Sequence, residues 1–169
     1  MHQVLRRGPS INLFEISSHR TAANTICSDY QATEDSDLGR GMRLKLPQSD
    51  EYPLPKEGTL EVGRYYRPES TTFPTFDSFF IVDLPESEER ALLMFQITRN
   101  KAKHDVKPDG LFTINKLIPE GIHKYYVAVT PEGLRPKITI PNSNFRDAED
   151  LFPVYRFPVA QAELFRDSE

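Results

Sequence analysis

Between Phe73 and Pro108 the chain carries two runs that are apolar on both alternating faces, Phe76-Asp77-Ser78-Phe79-Phe80-Ile81-Val82-Asp83 and Ala91-Leu92-Leu93-Met94-Phe95-Gln96-Ile97-Thr98. That is the pattern of strands covered on both sides. The acidic segment from Pro85 to Arg90 joins them, so they predict a central antiparallel hairpin. The polar members of the second run, Gln96 and Thr98, are two residues apart and share a face. A register that pairs Asp77 with either one brings a carboxylate, an amide and a hydroxyl to one end of the hairpin.

Elements around the hairpin follow from the same reading. Met42 to Leu46 alternates with period two and stops at Pro47, and Gly58 to Tyr66 is a further extended segment ended by Pro68. Ser10 is a candidate N-cap, and Ile11, Phe14, Ser18 and Ala22 form a stripe at helical spacing, which predicts a helix over about 10–24. Asp29 to Asp37 is acidic and reads as a solvated loop. Asp109 is placed to cap a short helix through Leu111, Phe112, Ile114, Leu117 and Ile118, closed by Pro119. Lys124 to Thr130 is a strong strand, and the helix before it is the crossover that makes it parallel to the previous strand. Lys137–Ile140 and Val154–Val159 read as weaker, edge strands. The sum is an α/β (α+β mixed) fold: a central mixed sheet with an antiparallel hairpin, flanked by a helix on each face. The expected organisation is one domain over 1–169, with a core at about 10–132 and a C-terminal extension at 133–169.

Composition narrows the function. A length of 169 residues suits one domain, and 14 prolines against 8 glycines cut it into short elements. With 25 acidic and 21 basic residues the net charge is −4, which argues against a surface devoted as a whole to nucleic acid. Locally the balance reverses: Arg99, Lys101, Lys103 and Lys107, with His104 among them, face only Asp105. Cys27 is the single cysteine, so an internal disulfide and a cysteine zinc cage are excluded. His2, His19, His104 and His123 show no metal-binding spacing. No run approaches a membrane span, no secretory h-region follows the first residues, and no GxxxxGK[ST] loop offers an ATP site. The expectation is a nuclear or cytoplasmic protein without membrane or ATP partners.

Three polar residues interrupt apolar elements: Glu15, Asp77 and Gln96. Two carboxylates and an amide oxygen are hard ligands suited to Mg²⁺ or Mn²⁺. Beside a lysine-rich turn, such a set is what phosphodiester hydrolysis needs, the metal lowering the pKa of a water while a cation balances the developing charge. Each residue also has a plainer reading. Glu15 fits a solvated helix position, Asp77 a turn or cap after Pro74, and Gln96 a partner for a backbone group.

The ordered set Leu13-Phe14-Glu15 with His19, Phe73-Pro74-Thr75-Phe76-Asp77, Phe95-Gln96-Ile97-Thr98 and His104 resembles the restriction-endonuclease-like domain at the C-terminal end of Crinkler and retrotransposon-hot-spot proteins. Those proteins belong to the PD-(D/E)xK nuclease superfamily. The resemblance spans roughly 11–132 and implies a restriction-endonuclease-like fold acting on DNA. It makes Glu15 the helix carboxylate, Asp77 the principal metal ligand and Gln96 the stand-in for the second acidic ligand. Thr98 falls where the superfamily has its lysine, and a threonine supplies no positive charge. Lys101 or Lys103 then offers the ammonium, His104 a proton carrier, and Arg99, Lys101, Lys103, Lys107 and His19 the contacts to nucleic acid. Two functions follow: a divergent metal-dependent DNA nuclease with catalytic Glu15, Asp77, Gln96, Lys101 and His104, or an effector-type binding module on the same fold that recognises a host or partner protein or a nucleic acid. Gln96, Thr98 and the net acidity favour the second.

Overall fold

The computed structural model describes residues 1–16, 18–19, 27–31, 41–70, 73, 75–85, 87–98, 103–141 and 153–160, with backbone alone for 18–19, 27–31, 103 and 141. The elements in chain order are α1 (His2–Arg6), β1 (Ser10–Glu15), β2 (Ser18–His19), β3 (Cys27–Gln31), β4 (Gly41–Lys45), β5 (Glu51–Pro53), β6 (Tyr65–Arg67), β7 (Ser78–Asp83), β8 (Arg90–Ile97), β9 (Lys103–Asp105), α2 (Pro108–Asn115), β10 (His123–Pro131), β11 (Lys137–Pro141) and β12 (Val154–Val159). They build a mixed α+β structure dominated by one large sheet, in the order β4-β1-β12-β10-β8-β7-β6-β5, and a second sheet, β2-β3-β11-β9. Among the described residues no helix is long and apolar enough to cross a membrane.

The predicted hairpin forms with β7 antiparallel to β8, Ser78 opposite Phe95 and Asp83 opposite Arg90. Both strands are buried on both faces as their composition demands. After β8 the chain passes through β9 and α2 and returns as β10, parallel to β8 with Gln96 beside Ala128. That is the expected crossover. Asp109 is not the cap of α2: Lys107 occupies that position, Pro108 follows it, and Asp109 lies in the first turn, where its charge suits the helix dipole.

Lys137–Ile140, as part of β11, lies between β3 and β9 and not at an edge, and Asp29–Gln31 belongs to strand β3 and not to a loop. Two further predictions are corrected. Residues 10–15 are a strand, β1, and not the start of a helix over 10–24. Ile11 and Leu13 are fully buried while Ser10 and Asn12 are exposed, which is period two rather than a helical stripe. The other correction concerns Val154–Val159, which is no edge and no extension. As β12 it lies between β1 and β10, antiparallel to the first and parallel to the second. Pro158 is tolerated there because the β1–β12 pairs stop at Phe14–Arg156, so no ladder bond asks for its missing N–H.

The large sheet must curl. Residues 46–50 alone connect β4 at one edge to β5 at the other. Six Cα steps span at most about 21 Å, whereas the edges of a flat eight-stranded sheet lie about 34 Å apart. Contacts along the seam agree: Arg7 bridges to Gln48, and Tyr65 N–H donates to Ser49 Oγ at 3.0 Å. Curling gives the sheet an inner core with Leu5 of α1, Ile11, Leu13, Phe80, Phe95 and Val129. On its other face Phe79, Met94 and Tyr126 pack under Leu111 and Ile114 of α2 and Ile138 and Ile140 of β11. A helix therefore does lie on each face, although the first is α1 and not the predicted one.

Candidate functional site

Asp77 ends the loop that enters β7 and stands opposite Gln96. Its N–H donates to the Phe95 carbonyl at 2.8 Å. Its Oδ2 accepts from Gln96 Nε2 at 3.1 Å and from Ile97 N–H at 2.6 Å. The hairpin register thus sets the carboxylate and the amide side by side, as the sequence predicts. Thr75, two residues earlier, is held at φ +80°, a conformation costly for a β-branched side chain. Its Oγ1 accepts the N–H of Lys107, the cap of α2, so α2 fixes the loop that delivers Asp77.

Burial pushes the Asp77 carboxyl above the ordinary carboxylate range, against the opposing pull of the Ile97 N–H and of Arg67. A raised acid pKa means the folded state holds the proton more tightly. Its stabilising contribution is therefore present at low pH and lost as pH rises through the folded value. Thermal melts of wild type and Asp77→Asn should separate accordingly, the variant gaining on wild type as the pH rises above about 4. A pH-independent difference would show that the carboxyl is unperturbed.

Asp77 also lines a cleft of about 500 Å³, together with Phe73, Phe76, Glu51, Arg67 and Glu69. Glu51 is already engaged, accepting from Arg6 and Arg67 at 3.5 Å each. Nearby His2 Nδ1 is hydrogen-bonded to the Tyr65 hydroxyl at 2.6 Å. None of Arg67, Glu51, Glu69 or His2 stands out in the sequence, because the cleft is assembled along β5, β6 and the entry to β7, which are neighbours only through sheet pairing, with His2 added from α1.

Beyond Gln96, Thr98 is buried, its N–H donating to the Val129 carbonyl at 2.9 Å. Its hydroxyl is hydrogen-bonded to His104 Nε2. Burial lowers the His104 pKa, with Asp105 opposing, so the ring is neutral near pH 7. Two strands over, Arg156 is 1% exposed and donates through Nε to Thr130 Oγ1 at 3.0 Å. Gln96, Ala128 and Arg156 are successive partners across β8, β10 and β12, so Arg156 lies on the Gln96 face with only a small alanine between them. The sequence signal for Arg156 was a single charge between Tyr155 and Phe157.

The remaining predicted residues do not join this group. Glu15 pairs with Tyr155, which pairs with Val127, which pairs with Phe95. It is therefore three strands, about 14 Å, from β8, and on the Phe95 face rather than the Gln96 face. There it contributes to raising the Tyr155 pKa to about 12, after burial and Tyr125. The helix that was to carry both Glu15 and His19 does not exist; His19 lies on β2 opposite Asp29, in the second sheet. Lys103 is on β9 opposite Lys137, and Lys107 is exposed at the start of α2. Arg99 and Lys101 lie outside the described residues. No family model, curated protein or solved structure matches the chain.

The predicted Mg²⁺ or Mn²⁺ set is thus not assembled. Among the described residues no three acidic, histidine or cysteine side chains are grouped to hold an ion. Asp77 is the one carboxylate of the predicted three at this place, and Gln96 turns its N–H toward Asp77 and not its oxygen toward a shared centre. The donor set falls short of what a hard divalent cation takes from a protein in the absence of substrate oxygens.

Proposed function

We propose that the chain is a recognition module on a restriction-endonuclease-like core, which binds a partner through the cleft at the head of the β7–β8 hairpin and does not hydrolyse phosphodiesters. The strand order supports the core assignment: β6, β7 and β8 run antiparallel in sequence, and β10 returns parallel to β8 after a helix. The observation that carries the loss of hydrolysis is the Gln96 amide donating to Asp77. An active site of this type would need a second oxygen ligand there. Thr98, in the lysine position, is already engaged with His104, and a neutral His104 adds no cation to balance a phosphorane.

Metal-dependent hydrolysis is a second reading, favoured by one observation: Asp77 stands on an open cleft with both of its hydrogen-bond donors on Oδ2. A plasmid-nicking assay with Mg²⁺ and with Mn²⁺ separates the two. Supercoiled DNA should remain intact at enzyme excess over hours. Nicking that requires the metal and disappears in Asp77→Ala would overturn the recognition reading.

A further inference from the structure

We propose that the cleft at Asp77 takes an alkyl cation, an ammonium or guanidinium on an apolar stem, with Asp77 as its counter-ion. This rests on the recognition reading and specifies its ligand. The volume of about 500 Å³ is that of a small-molecule or side-chain site. Its lining includes the Asp77 carboxylate, whose Oδ2 is fixed by two donors, while Oδ1 has no hydrogen-bond partner among the described residues. That leaves a positioned, partly desolvated acceptor in the lining. Desolvation raises the Asp77 pKa in spite of Arg67, whose charge pulls the other way, and a cation bound directly at Oδ1 offsets what is left of that penalty.

The surrounding charges point the same way. The basic side chains of the lining are Arg67, held by Glu51, which Arg6 also engages, and His2, whose Nδ1 is hydrogen-bonded to the Tyr65 hydroxyl. Glu69, also in the lining, has no ion-pair partner among the described residues. An anion entering the cleft would meet Asp77 and Glu69; a cation would meet them as partners. The apolar stem is asked for by Phe73 and Phe76. Phe76 is fixed edge-on against Phe79 and tilted against Tyr126 at centroid distances of 5.6 and 5.8 Å, and Phe73 is edge-on to Phe79 at 5.8 Å. Rigid aromatic walls beside a carboxylate suit a methylene chain ending in a cation. A bare hydrated metal ion would leave them unused.

Isothermal titration of the purified chain with spermidine, agmatine and the blocked peptide acetyl-Gly-Arg-Gly-amide tests this. Binding is expected for the cations, weakened roughly tenfold or more by Asp77→Asn and by a smaller factor in Glu69→Gln. The second variant changes an exposed residue and keeps the test valid if the first folds poorly. Tighter binding of the peptide assigns the site to a partner protein's basic side chain, and tighter binding of spermidine to a free polyamine. No binding at millimolar concentration, equal affinity in both variants, or competition by inorganic phosphate overturns the proposal. Failure here with intact plasmid DNA removes the ligand class alone, whereas metal-dependent nicking removes the recognition reading itself.

Discussion

Phe79→Ala should lower the stability of the fold by about 3–5 kcal/mol, and the urea midpoint by about 2 M. Phe79 is fully buried on β7. It takes the edges of Phe73 and Phe76, at interplanar angles of 85° and 61°. Truncation therefore opens a cavity under two rings and not one. The same change should loosen ligand binding in the cleft even in molecules that remain folded. Phe79→Leu, which keeps most of the volume, should recover about half of the loss. A loss below about 1 kcal/mol for the alanine variant would show that the hairpin is not packed as described.

A loss of similar size is expected for Arg156→Ala, again about 3–5 kcal/mol. The side chain is 1% exposed and its Nε is bound to the buried Thr130 hydroxyl. Removing it leaves Thr130 without that donor and a void in the middle of three parallel strands. Arg156→Met separates the contributions, because it fills the void without the charge. Replacement of a buried charge by an apolar side chain of similar volume is often tolerated, so the methionine variant should lie within about 1–2 kcal/mol of wild type in chemical denaturation. Equal losses for methionine and alanine would assign the role to the guanidinium's hydrogen bonds and not to its bulk.

These two residues also mark what could and could not be read from the chain. Phe79 lies in a run whose double-faced hydrophobicity identifies a central strand, and the alternation within β8 puts Gln96 and Thr98 on one face as candidate partners of Asp77, of which the register selects Gln96. Both are local, period-two information. Arg156 was misplaced because a charge and Pro158 inside an apolar run read as an edge. The strand is interior because the pairs with β1 end before the proline and because Ala128 leaves room beside the guanidinium. In the first segment two periods were present at once. Ile11, Phe14 and Ser18 fit a helix, Ile11 and Leu13 fit a strand, and the choice is made by sheet partners at Met42–Lys45 and Tyr155–Arg156, far away in sequence. Glu15 was lost to the site with that helix. The cleft was illegible for the same reason: Glu51, Arg67 and Asp77 come from separate stretches that the pairing of β5, β6 and β7 brings together, and His2 comes from α1.

The interior place of β12 governs the order in which the molecule can assemble. Without residues 154–159 the large sheet is two ribbons, β4–β1 and β10–β8–β7–β6–β5, with no hydrogen bonds between them across the missing strand. Glu15 waits for Tyr155, so β1 keeps an open edge until residues about 140 positions later have been made and folded. Closure of such distant pairs is slow compared with the local hairpin, and an unpaired apolar strand is exposed to pairing with other chains in the interval. β12 thus acts as a keystone: the ribbon that carries Asp77 and most of the cleft lining can form early, but its joining to β4–β1 is completed last.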